Sequence, residues 1–191
     1  MKWLLIAFLV CMLTPMPPAH PDSEFSTDTA AQYEKKIQSL TTAISKMTAV
    51  KLLEGLPHQL YETESLEQEL KDKKTVKIHG FPFYDGRIDV DNKVTKQLRE
   101  VWSDPKHFAR FDTPAACGGF HPDWCVEFTQ NQTVYQVLIC FGCHEARLYG
   151  PISSAYVVLG DESYKELVAV LKPFQKQRPK FKASKSLSPT E

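Results

Sequence analysis

The stretch from Asp123 to Leu159 constrains the fold most. Asp123-Trp124-Cys125-Val126-Glu127-Phe128-Thr129 alternates, Gln130-Asn131-Gln132 is a turn, and Thr133-Val134-Tyr135-Gln136-Val137-Leu138-Ile139-Cys140 is a longer, more apolar segment. His144 to Tyr149 alternates less clearly, Gly150-Pro151 is a second turn, and Ala155-Tyr156-Val157-Val158-Leu159 is apolar again. A period of two sends successive side chains to opposite faces of a strand. Turns this short join antiparallel neighbours, because a parallel crossover needs a dozen or more residues. Residues 123–159 are therefore expected to form an antiparallel meander.

Helical patterns flank it. Tyr33, Ile37, Leu40, Ile44 and Met47 make one apolar stripe, with Asp28 as a cap before it and Gly55 and Pro57 as stops after it. That pattern predicts a long N-terminal helix over 30–54. The stripe packs on its own domain or pairs with a second copy of the chain. It falls short of the heptads that a dimerising coiled coil requires. Leu56 to Tyr61 reads as a loop, and Ser65 with Gln68 as the capping box of a short charged helix ending near Lys74. Thr75-Val76-Lys77-Ile78-His79 alternates as a strand and runs into a turn through Gly80 to Gly86. Asp91 caps a helix that buries Val94, Leu98, Val101 and Trp102 before Pro105. A last helix carries Tyr164, Leu167, Val168 and Leu171 on one face and stops before Pro173. Helices flanking a mostly antiparallel sheet define the α+β class.

The ends read differently from the middle. Lys2 followed by the apolar run Trp3 to Leu13 and a proline-rich stretch is the pattern of a secretory signal over 1–19, with Ala19 as its last residue. The run is too short to span a bilayer. Val10 is bulky where a lipoprotein leader has a small residue before its cysteine, so Cys11 is not read as a lipidation site. The chain is expected to be exported, periplasmic or extracellular, and membrane-anchored if the leader stays attached. Residues 20–29 are a polar linker, 30–174 a single domain, and 175–191 a basic tail of disordered composition. With a formal net charge of +0, the balance offers nothing to nucleic acid.

Leader removal also removes Cys11. It leaves Cys117, Cys125, Cys140 and Cys143, an even number that suits an oxidising compartment. These four, with His121 and His144, form the one cluster of chemistry-bearing residues in the chain. As disulfide candidates they allow one or two structural bridges, including Cys140 to Cys143 across a turn at Phe141-Gly142. As metal ligands, Cys117, His121, Cys125, Cys140, Cys143 and His144 offer more than the four that zinc needs. Cys140-x-x-Cys143-His144 is also the c-type haem attachment pattern: two thiols for the vinyl groups and an axial imidazole. A sixth iron ligand would come from Met47, His58, His79, His107 or His121. A redox C-x-x-C normally opens a long helix, and no helix pattern follows here.

Other candidates are weaker. Asp85, Asp89 and Asp91 lack EF-hand spacing. Glu62 and Glu64 sit in a charged segment and are read as facing water, and His58 and His79 as surface or core histidines. Phe81, Phe83, Phe120 and Trp124 line a pocket or, as strand aromatics usually do, fill the core. Asn131-Gln132-Thr133 is a glycosylation sequon, with meaning only in a eukaryotic secretory pathway. No nucleophile, base and oxyanion set is visible, so a binding or structural module is expected rather than an enzyme.

Four segments resemble a family of uncharacterised bacterial exported proteins. They are Glu54-Gly55-Leu56-Pro57-His58, His79-Gly80-Phe81-Pro82-Phe83-Tyr84, Cys117-Gly118-Gly119-Phe120-His121-Pro122-Asp123 and Cys140-Phe141-Gly142-Cys143-His144-Glu145. The resemblance covers about residues 50–180. It implies a bacterial exported setting and carries over no activity and no site residue.

Overall fold

A computed structural model describes residues 28–112 and 119–180. The leader over 1–19, the linker as far as residue 27, Cys117, Gly118 and the tail beyond residue 180 lie outside the described residues.

The chain begins with helix α1 (Ala30–Ile44), capped by Thr29, whose hydroxyl accepts from Gln32 N while the Gln32 side chain accepts from Thr29 N. Asp28 is not the cap; its carboxylate pairs with Lys36 at 2.8 Å. The expected helix over 30–54 stops ten residues early, at Ile44, and Ala49–Glu54 is instead strand β1. Helix α2 (Thr63–Asp72) starts before the expected Ser65 cap. The hairpin of β2 (Thr75–Ile78) and β3 (Phe81–Tyr84) follows, then β4 (Ile88–Asp89) and α3 (Asn92–Ser103). As expected, Asp91 caps α3, accepting from Val94 N at 2.8 Å. Next come β5 (Phe108–Arg110), the meander β6 (Trp124–Gln130), β7 (Thr133–Cys140), β8 (Glu145–Tyr149) and β9 (Ser154–Leu159), and finally α4 (Asp161–Leu171).

One antiparallel sheet takes the order β4-β1-β6-β7-β8-β9-β5. The four consecutive strands of the meander are neighbours in it, and the fold is α+β with helices flanking the sheet. Asn131 and Gln132 join β6 to β7 with both φ values positive, the two-residue turn whose twist matches the flanking strands. The turn after β7 differs from expectation. It spans residues 141–144, and its left-handed residue is His144 at φ 56°, not Gly142.

Both faces of the sheet are covered. On one face Val50, Leu52, Val126, Phe128, Val137, Ile139, Leu148 and Val157 meet Ile37, Leu40 and Ile44 of α1, Leu98 and Trp102 of α3, and Leu167 and Leu171 of α4. The stripe of α1 is therefore spent inside its own domain, which removes the dimerising coiled coil. On the other face Leu53, Cys125, Leu138, Cys140 and Tyr156 meet Ile78 and Phe83 of the β2–β3 hairpin and Phe120. Phe83, Phe120 and Trp124 are core residues. Arg147 is buried on this face under the rings of Phe120 and Tyr156, its guanidinium carbon 4.3 and 4.5 Å from their centroids. Among the described residues no helix is long and apolar enough to cross a membrane.

Candidate functional site

Antiparallel order brings the end of β1, the start of β6 and the end of β7 to one edge of the domain. Backbone bonds fix them there: Gly55 N donates to Asp123 O at 2.8 Å and Asp123 N to Ile139 O at 2.7 Å. Phe141 N donates to the Asp123 carboxylate at 2.7 Å. Three loops leave from this edge, carrying His58, His121 and Cys140. A fourth segment crosses it after α4. Its backbone N–H groups at Lys176, Gln177 and Arg178 all donate to the buried Glu54 carboxylate. Residues 175–180 thus form a strap docked on the domain rather than the start of a disordered tail.

The four segments enclose a pocket of about 540 Å³, lined by His58, Tyr61, Glu62, His121, Asp123, Cys140 and Arg178 among others. Arg178 spans two carboxylates, donating to Asp123 at 2.6 Å and to Glu62. Glu62 also accepts from His58 N at 2.8 Å, which closes the 58–62 turn. Burial alone would raise the Glu62 carboxyl; the bonds from His58 N and Arg178 more than offset it and hold it below the ordinary value. Glu62 therefore does not face water, as its charged neighbourhood had indicated.

The imidazoles of His58 and His121 lie against each other, centroids 4.6 Å apart and planes inclined by 35°, and Tyr61 covers the His58 ring at 4.6 Å. Burial, with Arg178 nearby, holds His58 below the usual imidazole value. Burial does the same to His121, against the pull of the Asp123 carboxylate. Both rings favour the neutral form.

The cysteines divide. Cys125 and Cys140 are buried free thiols, while Cys143 is disulfide-bonded to a partner outside the described residues. The expected bridge across the turn, Cys140 to Cys143, is not formed, and two bridges from the four cysteines are ruled out by the same free thiols. The sulfur of Cys140 accepts the N–H groups of His121 and Cys143, yet burial pushes its thiol up to about 11. Burial, together with the nearby Glu127 carboxylate, drives Cys125 well above the ordinary thiol value. Neither sulfur is an activated nucleophile. The chain freed of its leader is expected to react slowly with Ellman's reagent when native. Unfolded in denaturant without reductant, it should show two fast thiols. A count of none or of four would contradict this pattern.

The proposed metal and haem sets do not assemble. His144 stacks on Tyr164 of α4 at 3.8 Å, toward the helix-covered face. Cys140 and Cys143 belong to the opposite cluster. With Cys143 bonded elsewhere and His144 turned to the other side, one porphyrin cannot take two thioethers and this imidazole. Among the described residues no group of three or more His, Cys, Asp or Glu is placed to hold a metal ion. Cys117 lies outside the described residues. His79 sits elsewhere, on Gln136 at 2.8 Å and stacked on Tyr149.

Sequence reasoning reached His121 and Cys140 but missed Tyr61, Glu62, Asp123 and Arg178 as parts of one site. The signal for Arg178 was a lone arginine between Gln177 and Pro179 in a lysine-rich tail, which composition alone reads as solvated.

No protein-family model matches the chain, and comparison with curated proteins finds no similar sequence. Among solved structures the chain is similar to the one described as "Crystal Structure of Putative Lipoprotein from Clostridium perfringens". The identity is 15%, the TM-score 0.41, and the match covers 74% of this chain and 98% of that one. A likeness at this level transfers no function.

Proposed function

We propose that this protein is an exported binding module rather than an enzyme, and that the pocket between His58, His121, Cys140 and Arg178 is its ligand site. The observation that carries this reading is the preorganisation of the pocket. Arg178 bridges the Glu62 and Asp123 carboxylates in a fixed network, and the two imidazoles line the same concave site. A protonated thiol and neutral imidazoles favour binding over catalysis. Export is supported by the leader pattern and by the disulfide at Cys143, which suits an oxidising compartment. The resemblance to the bacterial exported family fits the same centre. Three of its four segments contribute a pocket residue: His58, then His121 and Asp123, then Cys140.

Two-dimensional amide NMR of the mature chain, titrated with a set of small aromatic and amide fragments at millimolar concentration, tests the reading. Bound fragments should shift the amides of His58 to Glu62, Phe141 to Cys143 and Gln175 to Lys180 together. Shifts confined to another surface, or none from any fragment, would overturn it.

A further inference from the structure

The two histidines are locked as different tools. Leu60 N donates to His58 Nδ1 at 3.0 Å, so that nitrogen carries no proton and the neutral ring holds its proton on Nε2. His121 Nε2 lies 3.2 Å from Pro57 O, a carbonyl that can only accept, so His121 is also protonated on Nε2. The nitrogens left over are unlike. His58 keeps an N–H donor at Nε2, and His121 keeps a lone-pair acceptor at Nδ1. No hydrogen bond among the described residues engages either atom. Both rings line the pocket, and with centroids 4.6 Å apart one small group can meet both.

The buried charges of the lining are engaged with one another, which leaves Lys180 as the further cation of the lining. Arg178 is already shared between Glu62 and Asp123, so an anion must displace a carboxylate from it and a cation must compete with it for the same carboxylates. Tyr61, 61% exposed and lining the pocket over His58, supplies apolar surface for a flat ligand.

We propose that the pocket recognises a neutral amide-type group, with the ligand's carbonyl accepting from His58 Nε2 and its N–H donating to His121 Nδ1. This rests on the reading of the pocket as the ligand site and names its ligand class. Primary amides, lactams and the edge of a heteroaromatic base share this donor–acceptor chemistry. A carboxylate lacks the donor, and a hydrocarbon lacks both groups.

The probes are benzamide, benzoate and toluene, matched in ring and different in polar group, with the mature chain near neutral pH. Imidazole ¹⁵N shifts should report both rings as Nε2–H tautomers; an Nδ1–H form of either overturns the assignment. Benzamide should bind and move the His58 and His121 ring nitrogens, with benzoate and toluene weaker by about tenfold or more, the scale of one lost hydrogen-bond pair. Toluene equal to benzamide, benzoate tighter than benzamide, or no benzamide binding while other fragments shift the pocket amides would each overturn the amide class and leave the binding reading standing. A failure of every fragment to reach the pocket would sink the binding reading itself.

His121→Phe keeps a ring and removes the acceptor; it should abolish the preference for benzamide over toluene, and a retained preference overturns the proposal. Acidification makes the same test without a variant. The groups facing the rings are Glu62, Asp123, Arg178, Lys180 and the Cys140 thiol. As pH falls through the lowered imidazole range, Nδ1 of His121 gains a proton and turns from acceptor to donor. Benzamide binding should fall with it while toluene binding does not. An amide affinity independent of pH down to about 4, well below the ordinary histidine value, would overturn the role of His121.

Discussion

Replacing Gly55 with alanine is expected to destabilise the protein by about 3 kcal/mol or more, the upper end of overpacking effects. A Cβ at this position would lie 2.1 Å from Pro122 O and 3.0 Å from Asp123 O. Both are backbone atoms, so no side-chain rotation relieves the clash. The end of β1 would have to part from residues 122 and 123, breaking the bond from Gly55 N to Asp123 O. The damage reaches the site directly, because Asp123 holds Arg178 and Phe141 N, and His58 follows three residues after Gly55. Urea unfolding should show a lowered midpoint with little change in slope, as expected of a lost native contact rather than an altered unfolded state. Gly80→Ala is the informative contrast. Gly80 has φ 85°, and a Cβ there would meet nothing within 4 Å, so its cost is backbone strain alone, about 1 kcal/mol. If Gly55→Ala costs no more than Gly80→Ala, the close approach of the two segments is wrong.

The meander was legible in the sequence because its apolar strands are separated by short turns, and α3 and α4 because their buried residues recur at helical spacing. Asp91 before Val94 and the exposed turn at Asn131-Gln132 are local signals that tertiary structure did not override. β1 was not legible, for a definite reason. It alternates only over Ala49 to Leu52, and from Leu52 to Glu54 it is covered on both faces, so three consecutive residues are buried and the alternation is too short to read. Its apolar run continued the stripe of α1 and read as more helix. β4 and β5, of two and three residues, are too short to show any period. The site was legible only as residue types. The cysteine and histidine cluster pointed to the right edge of the sheet, but the sheet itself sorted its members, sending His144 to α4 and Cys125 into the core. Glu62 and Arg178 were invisible because they find each other across 116 positions of sequence.

Glu54→Ala is expected to release the strap while leaving the sheet folded. The carboxylate is 1% exposed and accepts three backbone N–H groups, from Lys176 at 3.1 Å, Gln177 at 2.8 Å and Arg178 at 2.9 Å. Each is a charge-assisted bond, worth about 1.5–3 kcal/mol where the partner is left stranded. These donors need not be stranded, because the segment can swing out and bond to water. The loss is therefore capped at the docking energy of the strap, about 2–4 kcal/mol, with the Arg178 pairs to Glu62 and Asp123 lost alongside. Trypsin provides the readout. Lys172 and Arg178 each precede a proline and resist cleavage, so Lys176 is the diagnostic position, and its neighbours' amides are pinned to Glu54 in the native protein. Cleavage after Lys176 should accelerate by about tenfold or more in Glu54→Ala, the factor that corresponds to losing at least 1.4 kcal/mol of local protection. Arg178→Ala, which keeps all three backbone bonds, should accelerate it less. Equal cleavage rates in Glu54→Ala and the unaltered protein would mean that the strap is held by its side chains. The Arg178 bridge, rather than the Glu54 cradle, would then be what closes the pocket.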